Sequence, residues 1–142
     1  MSQQKEPRSG QFGPGFQNAR SRLYRSEYAL ITVSILIFLA WRYIYSSGSV
    51  SILEIAFWAI FPDLVAFAAI GAASKKGVWP TWGSYVYNVS HTILVWAAVF
   101  AVTWVVLGSP HWELLGWLGH ISADRAVGYG LRETKKPAPS QY

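Results

Sequence analysis

Four apolar stretches, each close to the length of a membrane crossing, constrain the fold of this chain more than any other feature. They cover residues 23–44, 51–73, 82–107 and 112–131. A helix needs about 20 predominantly apolar residues to cross the hydrocarbon core of a bilayer. The connectors between the stretches contain Gly, Ser, Pro and Lys, which are typical of tight turns. The sequence therefore predicts an all-α integral membrane protein that folds as a four-helix transmembrane bundle.

The composition agrees with a surface that contacts the lipid bilayer. Only 13% of the residues are charged, whereas a soluble domain carries about 25%. The chain also holds eight Trp and eight Tyr, and such amphipathic rings gather at membrane–water boundaries. The basic residues do not follow one continuous face of the chain, so nucleic-acid binding is not expected.

The placement of the basic residues predicts the orientation. They precede the first stretch, occupy the second connector and follow the fourth stretch, which puts all three groups on one side of a bilayer if there are four crossings. By the positive-inside rule, both chain ends are cytoplasmic and the protein resides in the cell membrane, N-in and C-in. We expect a disordered cytoplasmic arm at residues 1–22, a membrane domain at 23–132 and a cytoplasmic tail at 133–142. The basic residues concerned are Lys5, Arg8, Arg20, Arg22, Arg25, Lys75, Lys76, Arg132, Lys135 and Lys136.

Several polar side chains lie inside the predicted crossings. An ionisable group at the bilayer centre costs roughly 2.5–3.5 kcal/mol on insertion scales, so each one is a candidate functional residue. They lie on the second, third and fourth stretches, at Asp63, Asn88, His91, His120, Asp124 and Arg125.

Depth in the membrane groups these residues into one candidate site. With a rise of about 1.5 Å per residue from the cytoplasmic ends, Asp63, His91 and His120 lie about 15 Å deep. Asn88 and Asp124 lie one turn nearer the cytoplasm. We therefore expect Asp63, His91, His120 and Asp124 to form a metal or ligand site between the helices. The residues expected to support that site are Asn88, Arg125 and Tyr129.

Three interpretations of this cluster are compatible with the sequence. The first is a structural polar cluster in an accessory subunit of a larger membrane complex, because polar groups hydrogen-bond between membrane helices. The second is a site for a divalent metal, zinc or iron, of the kind a membrane-embedded hydrolase uses. The third is a small-molecule site, including haem held by His91 and His120. No catalytic residue is assigned.

Three motifs carry a resemblance to a known family. They are the run HISADRAVGYGLR at residues 120–132, the pair Pro62-Asp63, and the run YNVSH that ends at His91. In their order along the chain, these three motifs resemble those of a small family of multi-pass membrane proteins that is described as a domain of unknown function. The resemblance covers residues 27–132 and implies a membrane fold and the same polar residues, but no activity. A looser similarity links the chain to membrane proteins described as metal-dependent hydrolases, which have richer His and Asp clusters.

Overall fold

The computed structural model describes residues 22–46, 50–71 and 81–132. Within these ranges the chain forms helices and no strand, which confirms the all-α prediction. The predicted N-terminal arm, the connector with Lys75 and Lys76, and the C-terminal tail lie outside the described residues. The elements are α1 (Arg22–Tyr45), α2 (Ile52–Gly71), α3 (Thr81–Ser90), α4 (Ile93–Leu107), a short 3₁₀ turn (Trp112–Leu114) and α5 (Leu115–Val127).

Helix α5 lies at the centre of the bundle. The contacts of α5 with α1 and with α2 are the most extensive contacts between any two elements. The side chains of Leu114, Trp117 and Ile121, from the 3₁₀ turn and α5, are buried and form the core of the bundle. The ring of Trp58 on α2 stacks on that of Trp117, with centroids 6.0 Å apart and an angle of 6° between the planes. The short helix that carries His120 and Asp124 is therefore enclosed by the longer ones.

Contacts along α5 define the helix directions. Arg25 at the start of α1 donates from Nε to the carbonyl of Ala126 at 2.8 Å, and Thr32 donates to Ser122 Oγ at 2.9 Å. The first residues of α1 therefore lie beside the last residues of α5, and the two helices are antiparallel. We call this end of the bundle the arginine end. It holds Arg22, Arg25, Arg125 and Arg132.

Helix α2 runs parallel to α5 at very short range, because Gly116 has no side chain. A Cβ atom at Gly116 would lie 2.4 Å from the carbonyl oxygen of Ile55. Small residues allow such close backbone approach between membrane helices. The contact fixes the register that brings Asp63 on α2 level with α5.

The prediction that residues 82–107 form one continuous helix is wrong. The helix breaks between Ser90 and Ile93, where the α3 and α4 axes meet at a bend of 55°. Thr92 adopts an extended conformation (φ −100°, ψ 124°). The hydroxyls of Ser90 and Thr92 donate to the carbonyls of Tyr87 and Asn88. Such local bonds compete with the helical ladder and explain why the helix stops here.

The fourth predicted crossing, residues 112–131, is also shorter than expected. It consists of the 3₁₀ turn and the 13 residues of α5. Gly128 ends the helix in the left-handed region (φ 104°), which only glycine adopts without strain. The amide of Tyr129 then donates to the Asp124 carbonyl at 2.8 Å. At about 1.5 Å per residue, α5 alone falls short of a hydrocarbon core of about 30 Å.

The membrane character of the chain is carried most clearly by α1. Among the described helices, α1 is long and apolar enough to cross a membrane by itself. The bent pair of α3 and α4 adds a second crossing if it is counted as one span. Four crossings therefore remain a prediction.

Candidate metal site

The helix break between α3 and α4 leaves carbonyl groups without their usual helical partners, and side chains replace those partners. The carbonyl of Ser90 accepts a hydrogen bond from Trp117 Nε1 at 2.7 Å, and that of His91 accepts one from Arg125 Nη2 at 3.4 Å. Inside a membrane, irregular backbone is tolerated only where protein groups satisfy it. Two side chains of α5 thus hold the break, and with it His91, in a defined position.

We expect Trp117→Phe to lower the free energy of unfolding by about 1–3 kcal/mol, the cost of a buried carbonyl left without its donor. The phenyl ring retains most of the packing against Trp58, so the lost hydrogen bond dominates the change. Thermal unfolding in detergent micelles measures the difference. Trp104→Phe is the matched control, because Trp104 is half exposed on α4. Equal melting temperatures for the two variants would contradict this role of the indole.

The imidazole of His91 is held in one orientation and one tautomer. Its ring stacks on Tyr87, with centroids 3.8 Å apart and an angle of 15° between the planes. Its Nδ1 lies 2.9 Å from the Tyr87 carbonyl oxygen and 3.0 Å from Ser90 Oγ. A carbonyl can only accept a hydrogen bond, so Nδ1 carries the proton. In the neutral ring, Nε2 is left as a lone-pair donor that faces the centre of the bundle.

Four side chains meet at this point. His91 Nε2 lies 3.5 Å from Asp63 Oδ1 and 3.7 Å from Asp124 Oδ2. His120 Nε2 lies 3.7 Å from the same oxygen of Asp63 and 3.6 Å from the same oxygen of Asp124. Each nitrogen therefore faces both carboxylates, and each of those two oxygens faces both nitrogens. One ligand atom each from Asp63, His91 and His120 lies within 4.8 Å of the others.

These contacts are longer than typical hydrogen bonds, for which N···O distances centre on about 2.9–3.0 Å. Both Nε2 atoms are buried and have no hydrogen-bond partner among the described residues. Buried polar atoms without a partner are rare in folded proteins and need an explanation. Here, two imidazole nitrogens and two carboxylate oxygens face one another, an arrangement that a bound cation would explain.

The spacing matches a tetrahedral metal ion. A zinc ion with bonds of about 2.0–2.2 Å holds its ligand atoms about 3.3–3.6 Å apart. An octahedral ion with bonds of about 2.1 Å holds neighbouring ligands about 3.0 Å apart. The nitrogen–oxygen distances of 3.5–3.7 Å are closer to the tetrahedral value. The hydrogen bond from His91 Nδ1 to a backbone carbonyl is also the usual outer partner of a metal-binding histidine.

The cluster is only partly closed from its surroundings. The side chain of His91 is 4% exposed, whereas those of Asp124 and Asp63 are 26% and 44% exposed. Pro62, which precedes Asp63 within α2, is fully buried, and its carbonyl accepts a bond from Ser90 Oγ at 3.3 Å. The helix break and the proline-containing turn of α2 are thus tied together directly behind the cluster. The accessible side of the cluster is the carboxylate side.

The three predicted supporting residues have different positions. Asn88 lies outside the cluster: its Nδ2 donates to the Arg132 carbonyl at 2.8 Å, and its Oδ1 accepts from the Arg132 amide at 2.6 Å. It ties the segment after α5 to α3. Arg125 contacts the helix break and donates to Tyr28 Oη at 2.9 Å. Tyr129 is exposed and lines a pocket beside Asp124.

Sequence reasoning did not identify Tyr87, Ser90 and Trp117 as positioning residues. Their contributions are a carbonyl, a hydroxyl and an indole N–H, none of which has a distinctive residue spacing. The one available signal was the pair of hydroxyl residues, Ser90 and Thr92, that flank His91 inside an apolar run. Such residues favour local bonds to the backbone, which interrupt a helix.

A second group of titratable residues, Glu54, His111 and Glu113, lies at the opposite end of the bundle, and one ligand atom from each lies within 4.8 Å of the others. It differs from the central cluster because it has a single histidine, whose Nε2 lies 3.1 Å from Glu54 Oε1 and whose Nδ1 lies 3.6 Å from Glu113 Oε2. Glu113 is buried and accepts a bond from the Ser51 amide at 3.0 Å. These residues tie the start of α2 to the segment before α5.

The described residues define an all-α bundle with membrane character and a two-histidine, two-aspartate cluster at the centre. The chain belongs to the family described as Domain of unknown function (DUF4260), whose model matches residues 23–138. This confirms the predicted resemblance to an uncharacterised family. No curated protein and no solved structure matches the chain.

Proposed function

We propose that this chain is a four-crossing protein of the cell membrane, with both ends in the cytoplasm. Among the described residues, large apolar side chains are exposed far more often than they are buried. Extensive contiguous apolar surface is uncommon on soluble monomers, whereas lipid-facing helices require it. The arginine end, formed by the start of α1 and the end of α5, supports the cytoplasmic assignment through the positive-inside rule.

A topology experiment tests this part of the proposal. A reporter fused after Gln141 is expected to be cytoplasmic, and one inserted at Gly108 to be external. Gly108 ends α4 in a left-handed conformation, and a Cβ atom there would meet nothing within 4 Å, so the site tolerates an insertion. Activity of paired cytoplasmic and periplasmic reporters gives the answer. A cytoplasmic Gly108 reporter would rule out four crossings.

We also propose that the cluster binds a divalent metal ion, zinc in the first place. The observation that carries this proposal is the pair of buried, unpartnered Nε2 atoms of His91 and His120. Two carboxylates and two neutral imidazoles form a suitable donor set for zinc. Haem is a poorer candidate, because the carboxylates of Asp63 and Asp124 occupy the space between the imidazoles that a porphyrin would need.

The function that this site supports best is metal-dependent hydrolysis within the membrane. Catalytic zinc sites use three protein ligands and leave one position for water. His91, His120 and Asp63 supply three ligands, and Asp124 flanks both nitrogens as a carboxylate base. The partial exposure of Asp63 and Asp124 gives a substrate access to the cluster, which a purely structural cluster does not need.

Metal analysis of the purified protein tests the proposal. We expect about one zinc ion per chain by elemental analysis, and nitrogen and oxygen neighbours at about 2.0–2.2 Å by X-ray absorption. The alternative is an accessory subunit of a larger membrane complex with a purely structural polar cluster. In that case no metal copurifies with the folded protein, and none is retained after incubation with zinc and dialysis.

A further inference from the structure

A small open pocket adjoins the cluster on the side of Asp124. It has room for about one water molecule. A ligand that uses this pocket can therefore insert a single oxygen-sized group and must keep the rest outside. The lining residues that bear on its chemistry are Tyr87, His91, Asp124, Arg125 and Tyr129.

One guanidinium group lines this pocket, and a second lies over the ring of a lining residue. Arg125 lines it directly and is held by bonds to Tyr28 Oη and the His91 carbonyl. The guanidinium carbon of Arg132 lies 5.0 Å from the ring centroid of Tyr87, another lining residue. Planar guanidinium groups match the oxygens of phosphate and carboxylate better than any other cationic side chain. The surroundings of the pocket thus favour an anionic group.

Bound metal would make the site more positive. Without a cation, the carboxylates of Asp63 and Asp124 offset the guanidinium charges of Arg125 and Arg132. A divalent ion would offset both carboxylates and leave the positive charge of Arg125 at the pocket. An anion would therefore bind more tightly when the metal is present, and binding of each one would strengthen binding of the other.

The other accessible member of the cluster, Asp63, lies on an apolar surface. Ile60, Leu64 and Phe67 are 54%, 50% and 66% exposed and form a stripe of α2 that runs beside Asp63. Their spacing of i, i+4 and i+7 places them on one face of the helix. In a bilayer this face contacts acyl chains, so a ligand that reaches Asp63 arrives from the lipid rather than from water.

We propose that the ligand of this site is an anionic membrane lipid, whose phosphate inserts one oxygen into the pocket beside Asp124 and contacts Arg125. This inference rests on the proposed metal function and adds the class of substrate. The acyl chains lie along the exposed face of α2, and the headgroup lies at the arginine end. Arg125 is the residue that selects an anionic over a zwitterionic headgroup.

The experiment uses the full chain in phosphatidylcholine nanodiscs, with metal content measured on every sample. The probe is fluorescently labelled phosphatidic acid, with labelled phosphatidylcholine and inorganic phosphate for comparison. Zinc-loaded protein should prefer phosphatidic acid, and Arg125→Gln should weaken its binding roughly ten- to hundred-fold, as expected for the loss of a charged hydrogen-bond partner. Arg22→Gln is the matched control, because Arg22 is exposed at the same end of the bundle and should leave binding unchanged.

The unmodified chain gives a second measurement that does not depend on folding of a variant. Removal of zinc by a chelator should weaken phosphatidic acid binding, and phosphatidic acid should slow the loss of zinc. Two results with zinc-loaded protein would overturn this inference and leave the metal function intact. One is equal binding of the two labelled lipids, and the other is equal binding of phosphatidic acid by the unmodified chain and the Arg125→Gln variant. Inorganic phosphate that competes as well as the lipid would also overturn it. Absence of zinc from all samples would instead refute the proposed function.

Discussion

Replacement of His91 or His120 by alanine is expected to reduce the metal content from about one ion per chain to less than about a tenth, because each variant removes one of the three protein ligands proposed for the metal. The bundle should remain assembled, since its core lies on Leu114, Trp117 and Ile121 rather than on the cluster. Elemental analysis after gel filtration in detergent gives the metal content, and the elution profile reports assembly. His111→Ala is the control, because His111 belongs to the separate Glu54–Glu113 group at the opposite end and should leave the metal of the central cluster in place.

The same variants distinguish a metal site from a structural cluster. If the histidines only form a polar cluster, their removal leaves the partly exposed carboxylates of Asp63 and Asp124 without a partner, and the free energy of unfolding falls by about 1–3 kcal/mol. Asp63→Asn separates the roles further, because it retains the shape and hydrogen-bonding capacity but loses the charge that a cation needs. A folded Asp63→Asn protein with full metal content would rule out Asp63 as a ligand.

The second large effect is expected at Gly116. Alanine is the better helix former by about 1 kcal/mol, so propensity alone predicts that Gly116→Ala is stabilising. The structure predicts the opposite, because the new Cβ would lie 2.4 Å from the Ile55 carbonyl oxygen, a backbone atom that cannot rotate away. Helices α2 and α5 must then separate, at a cost of typically about 1–3 kcal/mol. Thermal unfolding in detergent measures the loss.

Gly119→Ala is the matched control on the same helix. There the nearest atom to the added Cβ is Ile35 Cγ2 at 3.6 Å, an ordinary van der Waals contact. We expect this variant to be as stable as the unmodified chain, or more stable. The Gly116 variant should also bind metal more weakly, since separation of α2 from α5 moves Asp63 away from His120. Equal stability of the two variants would mean that the close approach of α2 and α5 is absent in the protein.

The membrane interpretation and the choice of polar residues followed from the sequence alone. Apolar stretches of membrane-crossing length are a local property, because the cost of transferring each residue into lipid depends mainly on its own side chain. The depth of Asp63, His91 and His120 could be counted because the rise per residue of a helix is constant. The structure brings these three side chains and Asp124 together, although their role as ligands remains a prediction.

The helix break at His91 has a local and a tertiary contribution. Ser90 and Thr92 favour local bonds that interrupt a helix, but residues 82–107 contain no Pro and do not require an interruption. The break is stable because Trp117 and Arg125, both on α5, donate to the carbonyls of Ser90 and His91. A local pattern cannot contain this information, since it depends on donors from a helix that follows later in the chain.

The early end of α5 has a mixed origin. Gly128 favours a helix end through its own conformational freedom, which is a local property of the sequence. The bonds that hold the following segment come from elsewhere, because Asn88 on α3 both donates to and accepts from the backbone of Arg132. The sequence by itself thus predicted which polar residues lie inside the apolar stretches and at what level along the helices. Only the packing of α2, α3 and α5 determined that two histidine nitrogens and two carboxylates face one point, because side-chain directions depend on helix breaks and helix rotation that no single stretch specifies.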